Sequence, residues 1–537
     1  MSALDVLRQL KQLKRGDDSK KVVEWGNADY INQVGIENLS RRELRNHLEA
    51  RDLDTNGTRI VLIERLRNSL ADEQLHVFAY TETEDTEFLL KADLEERGSV
   101  YVCGSNNRGE LGLGDTVPRT NFVVIPSLRG VGVNFLNSGV DMTYAITDEH
   151  DVYVWGGGGV GRTGINTEAA VTQNDKGVSV ATKNVNNYIE PRLVKEFVGE
   201  DMTRMYVGLS HCIGKGKGGD CFVWGDGHSG QLGLGDFDNH EQAVVNNSFP
   251  AVMNVACGAN HSVVQSKDGV VYTWGHAANG RLGVGEAERL GVPESERLFF
   301  PLPRKVEPLE PITQISCGAD HTLAVGAAGV YSWGSGSGGK LGIGDSMDRN
   351  TPCLIPKLRG KFVMQIVASN WHSMALICYP PLIGGGWLYT WGSGYHGQLA
   401  QEKKQLLLVP ELVDFFMKYH LSLRFIAAGS HHCAAVTKEG ELYTWGSNTN
   451  GCLGHKIDEL DVNYTSNPGH VGGFGALVNR IGRGFPRYVS CGKEFTVVAT
   501  LPYQGPDLTV ATKLMEEAKI REQEELLKKR AAGIYDW

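Results

Sequence analysis

Apolar residues along the chain come in short alternating runs, not in the long 3.6-residue periods of helices. Two such runs, for example SVVQS (262–266) and VVYTW (270–274), flank a tight polar turn, KDG. This is the signature of a β-hairpin. The second run belongs to a segment that recurs: VYVCGSNNRGELGLGD (100–115), VYVWGGGGVGRTG (152–164), CFVWGDGHSGQLGLGD (221–236), VYTWGHAANGRLGVGE (271–286), VYSWGSGSGGKLGIGD (330–345), LYTWGSGYHGQLAQ (388–401) and LYTWGSNTNGCLG (442–454). The Trp-Gly position falls at Trp155, Trp224, Trp274, Trp333, Trp391 and Trp445, with Cys103 in the first copy.

A second motif precedes most of these. It reads GVDMT (139–143), GLSHC (208–212), CGANHS (257–262), CGADHT (317–322), SNWHS (369–373), GSHHC (429–433) and CGKEFT (491–496). From its first glycine to the tryptophan is 16 residues at 139→155, 208→224, 258→274 and 429→445, whereas Trp-to-Trp steps run from 50 to 69. The hairpin is therefore a rigid unit and the insertions belong to loops. The first Trp-Gly-type strand (99–104) has no partner motif before it, and the last motif strand (488–500) has no Trp-Gly strand after it. Pairing the two completes a seventh unit and hides the edges an open sheet would expose. The expected fold is all-β: a seven-bladed β-propeller closed by its N- and C-terminal strands, preceded by a small helical hairpin and followed by a C-terminal helix.

The recurrent tryptophans are read as structural, filling the wedge between blades. The recurrent His211, His261, His321, His372 and His432 are read the same way, bonding backbone groups of an adjacent loop. A residue repeated blade after blade would otherwise imply many equivalent reactive sites.

The pattern G-x-x-H-[ST] followed by VYxWGxxxxGQLGxG resembles the repeats of the regulator of chromosome condensation family. The resemblance covers about 98–500. It implies a seven-bladed propeller that acts as a binding platform, and in the founding type a guanine-nucleotide exchange factor for the GTPase Ran that docks on chromatin. By that resemblance Asp320 in GADH and His431 or His432 in GSHH match the exchange factors' GTPase contacts. Ala259 stands where the first such loop has Asp, and the stretch after GADH lacks the factors' long wedge insertion.

Residues 39–70 carry a different pattern. Ser40 and Glu43 form a capping box, Leu44 and Leu48 a helical stripe, Asp54–Gly57 a turn, and Thr58 caps a second helix with Leu62, Ile63 and Leu66 inward. Leu39, Leu44, Leu48, Leu53, Gly57, Arg59, Leu62, Arg65 and Leu66 match the SAP motif, a helical hairpin of chromatin proteins. That resemblance makes Arg41, Arg42, Arg45, Arg59, Arg65 and Arg67 the DNA-phosphate contacts. From 37 to 67 seven arginines face six acids. A protein-binding hairpin with solvated faces is the alternative reading.

Composition narrows the rest. The net charge of −10 means that any nucleic-acid contact must be local. Ten cysteines without a C-x-x-C pair, three of them (Cys257, Cys317, Cys491) at one repeat position, read as small core residues in a reducing compartment. No run is long enough to span a membrane, and the N-terminus lacks a secretory apolar core. Asp5, Asp17 and Asp18 argue against a mitochondrial presequence. The absence of P-loop, HExxH, GxSxG and spaced metal-ligand motifs leaves no catalytic residue, metal or cofactor to expect.

The domain reading is 1–30 basic segment, 31–70 SAP-like module, 71–97 acidic linker, 98–505 propeller and 506–537 C-terminal helix. The linker carries nine acids and one base over 72–96. The insert at 157–198 reads as a flexible excursion from blade two or three and a partner contact. The expected function is that of a nuclear, non-enzymatic DNA- or chromatin-associated protein whose propeller binds another protein. The alternatives are a Ran-type exchange factor, and a cytoplasmic or mitochondrial location.

Overall fold

The computed structural model describes residues 98–501, apart from 166–169, 174–178, 183–186, 249–250, 286–297, 308, 379–384, 402–404, 458–462 and 475–484. The N-terminal segment, the SAP-like module with its six arginines, the acidic linker and the C-terminal helix lie outside the described residues.

The described chain forms seven four-stranded antiparallel sheets. In chain order, blades 1 to 6 span 133–193, 202–246, 252–305, 312–354, 362–412 and 423–471, each as four consecutive strands apart from one insertion in blade 1. Blade 7 is the composite that the unpaired ends call for. Its inner strands are Phe485–Cys491 and Phe495–Leu501, and its outer strands are Val100–Gly104 and Arg119–Val124. Five register pairs join the chain ends, from Val100↔Ala499 to Gly104↔Phe495. The first strand of every blade lines an axial channel of about 490 Å³.

The insertion is not an irregular excursion. It carries a two-stranded ribbon, Ala170–Gln173 with Ser179–Thr182, between the third and fourth strands of blade 1. The one described α-helix is the short Asp414–Lys418 between blades 5 and 6.

The Trp-Gly pair has a specific geometric role. In each of the seven blades the pairing between third and outer strands shifts across the Trp position, as between Thr273 and Gly275. The following glycine takes φ of about +100°, for example 103° at Gly275 and 104° at Gly334. A Cβ at Gly275 would lie 2.5 Å from the Asn260 carbonyl. Glycine is thus required, and the resulting bulge turns the indole toward the neighbouring blade.

Candidate functional site

The recurrent tryptophans and histidines of the repeat mostly form an inter-blade belt. All six tryptophans are fully buried. Each indole Nε1–H donates to a carbonyl in the preceding blade: Trp155 to Glu110, Trp224 to Arg162, Trp274 to Gln231, Trp333 to Arg281, Trp391 to Lys340 and Trp445 to Gln398, at 2.8–3.1 Å. The carbonyl comes from the residue before Leu-Gly, Thr-Gly in blade 1 or Leu-Ala in blade 5, in the long turn. The residue two positions later is glycine in five of these six turns, where a Cβ would crowd the indole, as at Gly283, 2.7 Å from Trp333 Nε1; in blade 5 it is Ala400, at φ 52°.

The repeated histidines reach forward, and they meet side chains, not the loop backbone expected from the sequence. His211 Nε2 pairs with Ser262 Oγ, His261 with Thr322, His321 with Ser373, His372 with the Cys433 thiol and His432 with Thr496, at 2.8–3.2 Å. Ser262, Ser373 and Thr496 each donate their hydroxyl to the same carbonyl that holds the tryptophan, or in blade 7 the Cys103 thiol. Their oxygens must then accept, which fixes the imidazole as the Nε2–H tautomer. Burial drives His211 and His432 down to about 4 and His372 to about 3, so these rings stay neutral.

Met142 and Phe495 stand in the histidine position of blades 1 and 7. There an ion network takes over. Asp141 is held by Arg162 at 2.7 Å and Arg108 at 2.9 Å, and Arg162 also donates to Leu209 O. The network links blades 7, 1 and 2.

In each blade the turn between the first two strands and the long turn after Trp-Gly emerge together. One hydrogen bond joins them, as in Ser335 N→Asp320 O and Ser447 N→His431 O. These turns make one face, and the GTPase-contact candidates separate on it. His432 is 1% exposed and committed to Thr496, so it belongs to the belt and offers nothing to a partner. Asp320 is on the face, but its carboxylate is taken by the buried Lys340 ammonium at 2.5 Å. Lys340 also lies 5.7 Å from the centre of the Trp371 ring. His431 is half-buried and stacks on Trp371, with centroids 6.3 Å apart and planes at 24°. It meets His396 edge-on at 4.6 Å, and His396 in turn meets Tyr464. Burial and the neighbouring His396 lower the His431 pKa.

Trp371 is 44% exposed and Tyr395 57% exposed. Trp371, His396 and Tyr395 were not singled out from the sequence. The available signal was a departure from the repeat. The residue before the histidine is small or acidic in most blades but Trp371 and His431 in blades 5 and 6, and the two rings become neighbours. Asn370 Nδ2 bridges the same two turns to Ser430 Oγ at 3.0 Å.

The axial channel offers no reactive chemistry. Cys257, Cys317 and Cys491 line it as free thiols, the first two only half-buried, so they are channel wall as well as core. Burial raises Cys317 and Cys491 to about 12. Among the described residues no group of His, Cys, Asp or Glu is arranged to hold a metal, and no helix is long and apolar enough to cross a membrane.

Comparison with known proteins agrees with this geometry. Residues 240–498 match the RCC1-like domain and residues 35–71 the SAP domain. The chain is 37% identical over 29% of its length to the ultraviolet-B receptor UVR8 of Arabidopsis thaliana, covering 34% of that protein. It is 30% identical over 66% of its length to the human E3 ubiquitin-protein ligase HERC2, covering 7% of it. With the mitochondrial RCC1 domain-containing protein RUG3 of Arabidopsis it shares 28% identity over 67% of its length and 64% of the relative. The match thus spans less than two thirds of each of these relatives. Among solved structures, Prp20p of Saccharomyces cerevisiae superposes with a TM-score of 0.61 at 19% identity, covering 80% of this chain and 98% of that one. Human WBSCR16 does so at 0.58 and 21%, covering 75% and 98%. The chain therefore joins an RCC1-like seven-bladed propeller to a SAP domain near its N-terminus.

Proposed function

We propose that this is a non-enzymatic, DNA- or chromatin-associated nuclear protein, in which the SAP domain grips the DNA backbone and the propeller's turn face docks a protein. The observation that carries the reading is the SAP match at 35–71, with arginines at 41, 42, 45, 59, 65 and 67. A few phosphate contacts position a protein on DNA without reading sequence. The propeller supports the second half. Its turn face exposes Trp371 and Tyr395, the residue types that dominate protein-binding hot spots. The test is DNA binding by the full chain carrying Arg41→Ala, Arg42→Ala and Arg45→Ala. The expected result is a uniform loss of affinity across sequences. Unchanged affinity would remove the DNA half of the proposal.

A second reading, exchange on a Ran-like GTPase, is favoured by the placement of Asp320 and His431 on one face. The structure of Prp20p was described with that protein's binding to Gsp1p and histones. Against it stand Ala259, the Lys340 ammonium on Asp320, and the burial of His432. A purified chain that speeds nucleotide release from a Ran-type GTPase, and loses that effect on Asp320→Ala, would establish this reading in place of pure docking.

A further inference from the structure

The end of the axial channel opposite the turn face has two unlike halves. One position near the start of each first strand is an amide in blades 3 to 5 (Asn254, Gln314, Gln365), a ring in blades 6, 7 and 1 (Phe425, Tyr488, Phe135) and Arg204 in blade 2. The amides are used up within the ring of blades: Gln314 donates to Met364 O at 3.1 Å and Gln365 to Ile426 O at 2.7 Å. The other half carries rings and cations. Arg424 of blade 6 donates to Pro486 O, its guanidinium lies 4.5 Å from the Phe485 ring centre, and its Nε is buried without a partner. Arg487 of blade 7 lies over Tyr488, and Tyr488 packs on Phe135 at 6.3 Å. Arg204 lies over the same Phe135 ring at 5.0 Å. Lys215, paired with Arg204 across the strands, donates to Met253 O at 2.6 Å. Burial first, and then the nearby Arg204 and Lys267, lower its pKa.

Five cations thus follow the channel mouth from blade 6 through 7, 1 and 2 to blade 3, beside the channel-lining Phe135 and Phe425. Among the described residues, the one carboxylate ion-paired with any of them is Asp148, on Arg487 at 3.1 Å. Like charges gathered with so little counter-charge repel one another, and an anionic occupant relieves them. Two features set its chemistry. Three of the cations are guanidinia laid over rings, and such a planar fork meets a phosphate with two parallel N–H···O bonds. The cations also bend round more than half of a seven-bladed ring. A single phosphate would leave most of them uncompensated, and a straight duplex or extended strand meets only part of so tight a curve. A compact body with several phosphates meets all of it.

We propose that this mouth binds a small, free, polyphosphorylated molecule of the inositol-polyphosphate class, held by Arg204, Arg424, Arg487, Lys215 and Lys267.

Titration calorimetry of the full-length protein with inositol hexakisphosphate at about 0.15 M salt tests this. The expected result is saturable binding of one molecule per chain and a raised melting temperature. Affinity should fall at least about tenfold in Arg204→Glu/Arg487→Glu. It should fall several-fold in the milder Arg204→Gln/Arg487→Gln, which decides the matter if the reversal disturbs folding. Arg41→Ala/Arg42→Ala/Arg45→Ala should leave it unchanged, which separates this site from the DNA contacts proposed above. The ligand should also slow acylation of Lys215 and Lys267 but not of Lys493 on the turn face. No saturation up to about 1 mM, full affinity in the folded arginine variants, or unprotected lysines would overturn the proposal. So would protection of the two lysines by duplex DNA at a lower concentration than by the hexakisphosphate, or by phosphoinositide vesicles alone.

Discussion

The belt histidines do their work as neutral donors, and this fixes how the protein responds to acid. His211, His372 and His432 sit at about 4, 3 and 4 when folded, against the usual 6.5. Below about pH 6.5 the unfolded chain binds these protons and the folded one does not. Stability should therefore be complete above that pH and fall as pH drops toward 4. Urea midpoints measured from pH 7.5 to 4.5 should decline over this window. A flat profile would mean that the rings are not buried and neutral. His321→Ala removes one relay and leaves the buried Ser373 oxygen without its donor, while Lys340 O keeps Ser373 and Trp391, at a cost of about 1–3 kcal/mol in the same assay. His431→Ala, on a surface ring, should stay within about 0.5 kcal/mol. The recurrence of His and Trp made their structural role legible. Their partners were not, because Ser262, Thr322 and Cys433 share a register only once the blades are stacked. The difference between His431 and His432 was equally hidden, since adjacent strand residues face opposite ways.

At the scale of elements, constant hairpin length and two unpaired end segments were enough to give blade number and the composite blade 7. The bulge at every Trp position was not foreseeable from alternation alone, though the invariable glycine after it is its trace. Trp333→Phe keeps most of the ring but loses the hydrogen bond to Arg281 O. It should cost about 2–3 kcal/mol, seen as a lower denaturant midpoint with an unchanged slope. A change of slope would point to partial opening of the ring. The composite blade makes a stronger demand. Deleting 495–501 strips Val100–Gly104 of its inner partner, so the cooperative thermal transition should be lost, not merely shifted. The ribbon of blade 1 escaped the sequence reading because its short runs, AVTQ and SVAT, sit in a polar stretch that carries no copy of the repeat.

At the scale of the whole molecule, the chain leaves the ring at Gly98 and Leu501 on the face opposite the Trp371–His431 turns. With net charge −10 overall, the DNA binding proposed above has to be local to the SAP match at 35–71. The most direct test is the salt dependence of duplex DNA affinity for the full chain and for a chain lacking 31–70. The account predicts a slope of log K against log salt of about −3 to −5, as about four to six phosphate contacts give. It also predicts loss of that binding in the deleted chain, with the propeller's melting transition unchanged. Equal affinity and slope in the two proteins would contradict it.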